Sequence, residues 1–140
     1  MNSIKAYCQF FESINQNTSI EKYKEQFNPN TVFEDPFHKV QGIDAIYNVF
    51  QKMYKNLDNP YFKVYEAIQK ENVAYIKWEF YFSFKNDTIV QNFTGVSRVK
   101  FDDNGKVLEH IDFWDSAENI YEKIPFISQI IKFIKRRIVA

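Results

Sequence analysis

Thr31-Val32-Phe33-Glu34-Asp35-Pro36-Phe37-His38-Lys39-Val40-Gln41-Gly42 is the stretch from which the fold can be read. Val32 and Glu34 alternate with Phe33 and Asp35, so a short strand sends Phe33 and Asp35 to one face. Pro36 cannot donate to a sheet ladder and ends that strand. Gly42 permits the tight backbone that leads into a helix. A carboxylate, a proline and a histidine thus meet at a strand end, between two helical patterns.

Upstream, Ile4, Tyr7, Cys8, Phe11 and Ile14 have the spacing of a one-sided helix. Asn15-Gln16-Asn17 breaks it. Thr18 is placed to cap a second short helix, with Glu21 completing a capping box and Ile20, Tyr23 and Phe27 as its apolar side. Asn28-Pro29-Asn30 reads as a turn. Downstream of Gly42, Ile46, Val49, Phe50, Met53 and Leu57 form the stripe of a third helix, which Asp58-Asn59-Pro60 stops.

From Tyr61 the period changes to two. Phe62 and Val64 begin a strand. Over residues 73–84, Ala74, Ile76, Trp78, Phe80, Phe82 and Phe84 share one face, opposite Val73, Tyr75, Lys77, Glu79, Tyr81 and Ser83. Lys85-Asn86-Asp87 turns the chain, and residues 88–101 return with Phe93, Gly95, Ser97, Val99 and Phe101 on one face. A glycine inside a strand predicts a bulge or close packing against a helix. Asp102-Asp103-Asn104-Gly105 is a hairpin signal before a last strand over 106–114. Ser116 and Glu118 suit a helix start, Asp115 is a possible relative of its cap, and Pro125 breaks that helix or opens the next. Phe126–Ile138 is amphipathic, with Ile127, Ile130, Ile131, Ile134 and Ile138 opposite Lys132, Lys135 and Arg136.

Helices followed by a meander of long strands predict one α+β domain over residues 1–140. A curved antiparallel sheet wrapped around the N-terminal helices makes a cone, with the amphipathic helix as an addition. Its interior is a natural pocket. The 15 Phe and 9 Tyr either line a cavity or make a ring-rich core.

Charge and composition narrow the function. Lys and Arg total 18, as do Asp and Glu, which argues against nucleic acid as a partner. Cys8 is the only cysteine, so no intramolecular disulfide or thiolate cluster is expected. The two histidines and scattered carboxylates show no metal-ligand spacing, and no phosphate loop or nucleophile elbow is present, so neither metal nor cofactor is expected. The N-terminus lacks the pattern of a signal peptide, and no apolar run reaches the ~18 residues of a membrane span. A cytoplasmic protein is expected. The basic C-terminal helix is expected to pack on the domain or a partner rather than on a membrane.

Two stretches carry candidate chemistry. Asp35 either accepts backbone hydrogen bonds in its turn or serves as a base. His38 is either solvent-facing or catalytic. In the last strand Leu108, His110, Asp112 and Trp114 oppose Val107, Glu109, Ile111 and Phe113, and either set can be the inner one. If His110 and Asp112 face inward, two carboxylates share an aromatic site. One then keeps its proton, which provides an acid and a base.

The Thr31–Pro36 motif with Gly42, Asp103-Asn104-Gly105-Lys106-Val107 and His110-Ile111-Asp112-Phe113-Trp114-Asp115 together resemble the nuclear-transport-factor-2-like superfamily, which includes ketosteroid isomerases and SnoaL-like polyketide cyclases. The resemblance implies that Asp35 matches the isomerase general base. It puts Phe10 where those enzymes carry an oxyanion-hole tyrosine and Ser97 where they carry an aspartic acid. Loss of one such donor costs on the order of a hundredfold in rate, so the usual isomerase mechanism is not expected. It also implies that the His110, Asp112 and Trp114 face lines the cavity.

The expectation is a small, largely apolar molecule bound in the cone by Phe10, Phe33, Phe50, Met53, Trp78, Phe80, Phe82, Ser97 and Trp114. Asp35 and Asp112, with His38 or His110, would carry isomerase, cyclase or dehydratase chemistry. The alternative is a non-catalytic binding or interaction module of the same fold. Tyr75, Tyr81 and Val73 on the outer face point to a homodimer.

Overall fold

The computed structural model describes residues 3–116 and 125–139. Helices α1 (Ser3–Ser13) and α2 (Ile20–Gln26) precede strand β1 (Phe27–Glu34), the short β2 (Lys39–Gln41) and helix α3 (Ile43–Asn56). Strands β3 (Leu57–Lys70), β4 (Val73–Phe84), β5 (Gln91–Phe101) and β6 (Val107–Phe113) follow, and α4 (Pro125–Val139) is the last described helix. The six strands form one open curved sheet in the order β2-β1-β6-β5-β4-β3. It is mixed. All neighbours run antiparallel except β1 and β6, which are parallel and bring Phe33 opposite His110.

The alternation in β4 is realised: Ala74, Ile76, Trp78, Phe80 and Phe82 are buried while Tyr75 across the sheet is half exposed. Phe93, Ser97, Val99 and Phe101 of β5 join them on the concave face. Tyr7, Phe10 and Phe11 of α1, Tyr23 of α2, and Ile46, Phe50 and Tyr54 of α3 fill the cone from the other side. The rings meet mostly edge to face, as their quadrupoles favour; Tyr7 touches Phe11 this way at 4.9 Å.

In β6 the inner set is His110 and Asp112, paired with Val99 and Ser97. Val107 is inside as well, although it has the opposite parity. The register slips between Lys100 and Phe101, and that irregularity turns the strand's first residue inward.

Several local expectations are corrected. Asn28-Pro29-Asn30 is not a separate turn; it lies within β1, where pairing to β6 slips between Phe27 and Val32 and so leaves Pro29 outside the ladder. Thr18 does not cap α2. Its hydroxyl accepts the Asn15 N–H at 3.0 Å, and Ser19 takes the cap position without a side-chain bond. Asp58-Asn59-Pro60 interrupts no helix, because α3 ends at Asn56. These residues instead form an irregular start to β3, with Asn59 at φ 48°. Residues 88–90 precede β5 instead of extending it. Gly95 packs closely, but against the Trp78 indole instead of a helix.

The Asn104-Gly105 turn forms as expected. Gly105 has φ 78°, and the Asp102 carboxylate accepts the Asn104 and Lys106 N–H groups. Helix α4 makes no extensive contact with any other described element. Ser116 begins a helical segment, but Glu118 lies outside the described residues, as does any further test of that helix start. No helix among the described residues is long and apolar enough to cross a membrane.

Candidate functional site

The site begins with a pairing. Parallel β1 and β6 set Phe33 beside His110, and the two rings stack at 4.9 Å. Antiparallel β5 and β6 set Ser97 beside Asp112. Helix α1 lays Tyr7 over the same spot. Together α1, β4, β5 and β6, more than 100 residues apart at the extremes, produce one buried chain of hydrogen bonds.

The Tyr7 hydroxyl lies 2.7 Å from His110 Nδ1 and His110 Nε2 lies 2.6 Å from Asp112 Oδ1. Trp78 donates its indole N–H to Ser97 Oγ at 2.7 Å, and Ser97 donates its hydroxyl to the same Asp112 oxygen. Tyr7 is wholly buried. Burial first, and the negative charge of Asp112 second, hold its hydroxyl in the phenol form. A phenol gives its proton to Nδ1, which leaves the imidazole proton on Nε2 to face the carboxylate. Two donors therefore converge on Oδ1. Oδ2 has no hydrogen-bond partner among the described residues.

Two small cavities meet at this carboxylate. One, of about 20 Å³, lies against Cys8, Phe11, Val64, Ser97 and His110. The other, of about 80 Å³, lies against Phe33, Asp35, Phe50, Met53, Phe80 and Trp114. Phe62, Trp78 and Asp112 border both. The cone is thus mostly filled by rings and leaves modest voids instead of one large chamber. The smaller has room for about one water. At the rim, Phe37 meets Trp114 edge-on at 5.3 Å and Trp114 stacks on Phe93 at 4.5 Å.

Asp35 borders the larger cavity, but its oxygens are engaged in the turn. Oδ1 accepts the Phe37 and His38 N–H groups at 2.8 and 2.7 Å, and His38 Nδ1 stands 3.0 Å away. This is an Asx turn closed at the surface by the His38 ring. His38 is 41 % exposed and reaches neither cavity, whereas His110 is 3 % exposed. The structure therefore brings Asp112, His110 and Ser97 together, sets Asp35 across the larger cavity, and leaves His38 at the surface.

Among the expected ligand contacts, Phe33, Phe50, Met53, Trp78, Phe80 and Trp114 border the larger cavity. Phe10 does not. It packs edge-on between Tyr23 and Phe27, and Tyr7, one turn earlier, is the α1 residue that hydrogen-bonds His110. Phe82 also borders neither void and packs on Phe80 and Phe93. Tyr7 was hidden among the apolar residues of α1; a hydroxyl inside a buried stripe was its one signal. Cys8 borders the smaller cavity with its thiol pushed up by burial and then by Glu12. Ser97 directs its hydroxyl proton at Asp112 and borders only the smaller cavity, and no hydroxyl among the described residues borders the larger one. No three His, Cys, Asp or Glu side chains among the described residues are placed to hold a metal ion.

What this arrangement can do is accept a proton. A mostly buried carboxylate, anchored through one oxygen and open at the other, has the geometry to accept a proton or a polarised hydrogen. It is not built to stabilise an oxyanion.

Solved structures share this fold at low identity. A ketosteroid isomerase-like-fold protein from Catenulispora acidiphila, in complex with trimethylamine, is 10 % identical with TM-score 0.72 over 85 % of this chain and 89 % of that one. A putative SnoaL-like polyketide cyclase from Jannaschia sp. CCS1 is 11 % identical with TM-score 0.70 over 81 % and 85 %. An M. tuberculosis LEH-like epoxide hydrolase is 13 % identical with TM-score 0.69 over 95 % and 91 %. No curated protein matches the chain. The model of the SnoaL-like domain matches residues 7–110, from the tyrosine to the histidine of the buried chain, and the protein belongs to this SnoaL-like family within the nuclear-transport-factor-2-like superfamily.

Proposed function

We propose that the protein binds a small, largely apolar molecule in the ring-lined cone and takes a proton from it through Asp112. The observation that carries this reading is the open Oδ2 of a carboxylate whose other oxygen is fixed by Ser97 and His110, at the border of two apolar cavities. His110 and Tyr7 hold that carboxylate in place, and Asp35 faces it across the larger void. Isomerisation, cyclisation or dehydration each begin with such a proton transfer. The neighbours described as a polyketide cyclase and an epoxide hydrolase support small-molecule chemistry in this cone.

Size limits the ligand. The larger cavity, about 80 Å³, is smaller than the ~150 Å³ engineered cavity that accepts benzene. A few heavy atoms fit as it stands, and a larger guest has to displace Phe37 and Trp114 at the rim. The neighbour that holds trimethylamine supports a guest of that scale.

The test is ligand-detected NMR in D2O with trimethylamine and small enolisable ketones. Binding together with deuterium uptake next to the ketone, both lost in Asp112→Asn, supports the reading. Uptake that persists in Asp112→Asn sinks it. The lack of an oxyanion donor favours a second reading, a binding module without turnover, for which the ligands bind and no deuterium enters. The outer face, with Tyr61, Tyr75 and Phe113 about half exposed, is where we expect a second copy to dock.

A further inference from the structure

Helix α4 carries Lys132, Lys135, Arg136 and Arg137 and no acidic residue, although the whole chain balances its charges. Ile130, Ile134 and Ile138 recur every fourth position and share one side of the helix. Their side chains, with Phe133 and Val139, are exposed. Lys132, Lys135 and Arg136 lie on the other side of the helix, while Arg137 flanks the stripe, its guanidinium 6.0 Å from the Phe133 ring centre. An apolar face backed by a wholly cationic polar face suits a surface that offers hydrocarbon beneath and negative charge around it.

We infer that α4 is a membrane-surface anchor that docks on bilayers containing anionic lipid. The helix has 15 residues, about 22 Å at 1.5 Å per residue, short of the ~30 Å hydrocarbon core. With four charges it lies on the bilayer and does not cross it. The isoleucines enter the headgroup boundary, while the long basic side chains reach back to the phosphates.

A second copy of the chain is a poorer fit. Its exposed apolar sheet face carries Lys77 and Lys100, and two of its acids there are already engaged: Glu79 by Tyr81 and Asn92, Glu109 by Arg98. An acidic bilayer presents no such cations. The inference is independent of any ligand in the cone.

The test is sedimentation of the full chain with phosphatidylcholine vesicles, with and without about one third phosphatidylglycerol. Binding is expected only with the anionic lipid and should weaken as salt rises. Each freely exposed Lys or Arg neutralised should lower partitioning about fivefold, so K132Q/R136Q should lose on the order of twenty-five-fold. I134E/I138E should lose binding even at low salt. Circular dichroism of each variant confirms that the domain still folds. Three results overturn the inference: no binding to anionic vesicles, equal binding to both vesicles, or a helix-dependent dimer that I134E/I138E dissociates without any vesicle binding.

Discussion

Gly95→Ala should damage this protein far more than a single methyl usually does. At an exposed strand position the same change would be neutral or mildly favourable, because alanine restricts the unfolded chain more than glycine does. Here the added Cβ would stand 2.3 Å from Trp78 Cη2 and 2.4 Å from Cζ2. The indole is not a loose end that can swing away. It is 5 % exposed, bonded through Nε1–H to Ser97 at 2.7 Å, and packed edge-on against Phe62 at 5.4 Å. Overpacking a well-filled core costs about 1–3 kcal/mol. If the indole turns, its N–H is left unpaired in the interior, at about 1–3 kcal/mol more. The sum, about 2–6 kcal/mol, is a large part of the ~5–15 kcal/mol that holds a domain together. Urea unfolding with an unchanged slope measures it. Trp78→Phe removes the part of the ring that the methyl meets, so Gly95→Ala should cost less in that background, with a coupling of at least about 1 kcal/mol. A loss below about 0.5 kcal/mol in Gly95→Ala, or strict additivity in the double variant, would refute the reasoning.

Two further outcomes follow from the buried hydroxyls. Tyr7→Phe leaves His110 Nδ1 without its partner; we expect a loss of about 1–3 kcal/mol in urea unfolding and a changed Nδ1 shift in ¹⁵N NMR, and an unchanged shift would count against the hydrogen-bond chain. Burial raises the hydroxyls of Tyr7, Tyr23 and Tyr54, the last to about 12. Unfolded tyrosines ionise near pH 10, so the folded state binds more protons above that pH, and stability that is complete below pH 10 should fall as pH rises toward the folded values. Each tyrosine contributes at most about 1.4 kcal/mol per pH unit, and a flat urea midpoint from pH 9 to about 11.5 would contradict the burial of these groups.

The strands of this protein were legible wherever one face is buried. The period-two pattern of residues 73–84 predicts their burial because each inward position meets the cone and each outward one meets water. The errors fall where the backbone departs from its period. Val107 has the wrong parity for its face because of the slip after Lys100, and Asn28-Pro29-Asn30 looks like a turn because a bulged strand tolerates the same residues. The parallel contact between β1 and β6 is a long-range pairing that no local pattern encodes. The site depends on that contact. Phe33 and His110 were separately conspicuous, but their stacking exists only through it. Tyr7 was illegible as a site residue for a related reason: a helical stripe reports which residues are buried, not what their hydroxyls reach.

The relative roles of Asp35 and Asp112 show why motif and structure diverge, and they can be separated by experiment. The motif favours Asp35, which stands at a strand end beside Pro36. The same proline, however, opens a turn whose N–H groups need an acceptor, and Asp35 Oδ1 supplies it to Phe37 and His38. Asp112 has no such backbone duty. Its donors are side chains from β5 and from β6 itself, and they fix one oxygen while leaving the other at the cavity border. Asparagine keeps an acceptor oxygen at either position. Asp35→Asn should therefore preserve the turn, fold normally, and retain at least about half of any deuterium uptake by a bound ketone. Asp112→Asn should keep its bonds to Ser97 and His110, replace Oδ2 with an amide that cannot accept a proton, and lower uptake by about 10²-fold or more, the low end of what a positioned base contributes. The reverse pattern, uptake lost in Asp35→Asn and kept in Asp112→Asn, would mean that the turn carboxylate is the base and that the buried hydrogen-bond chain is only structural.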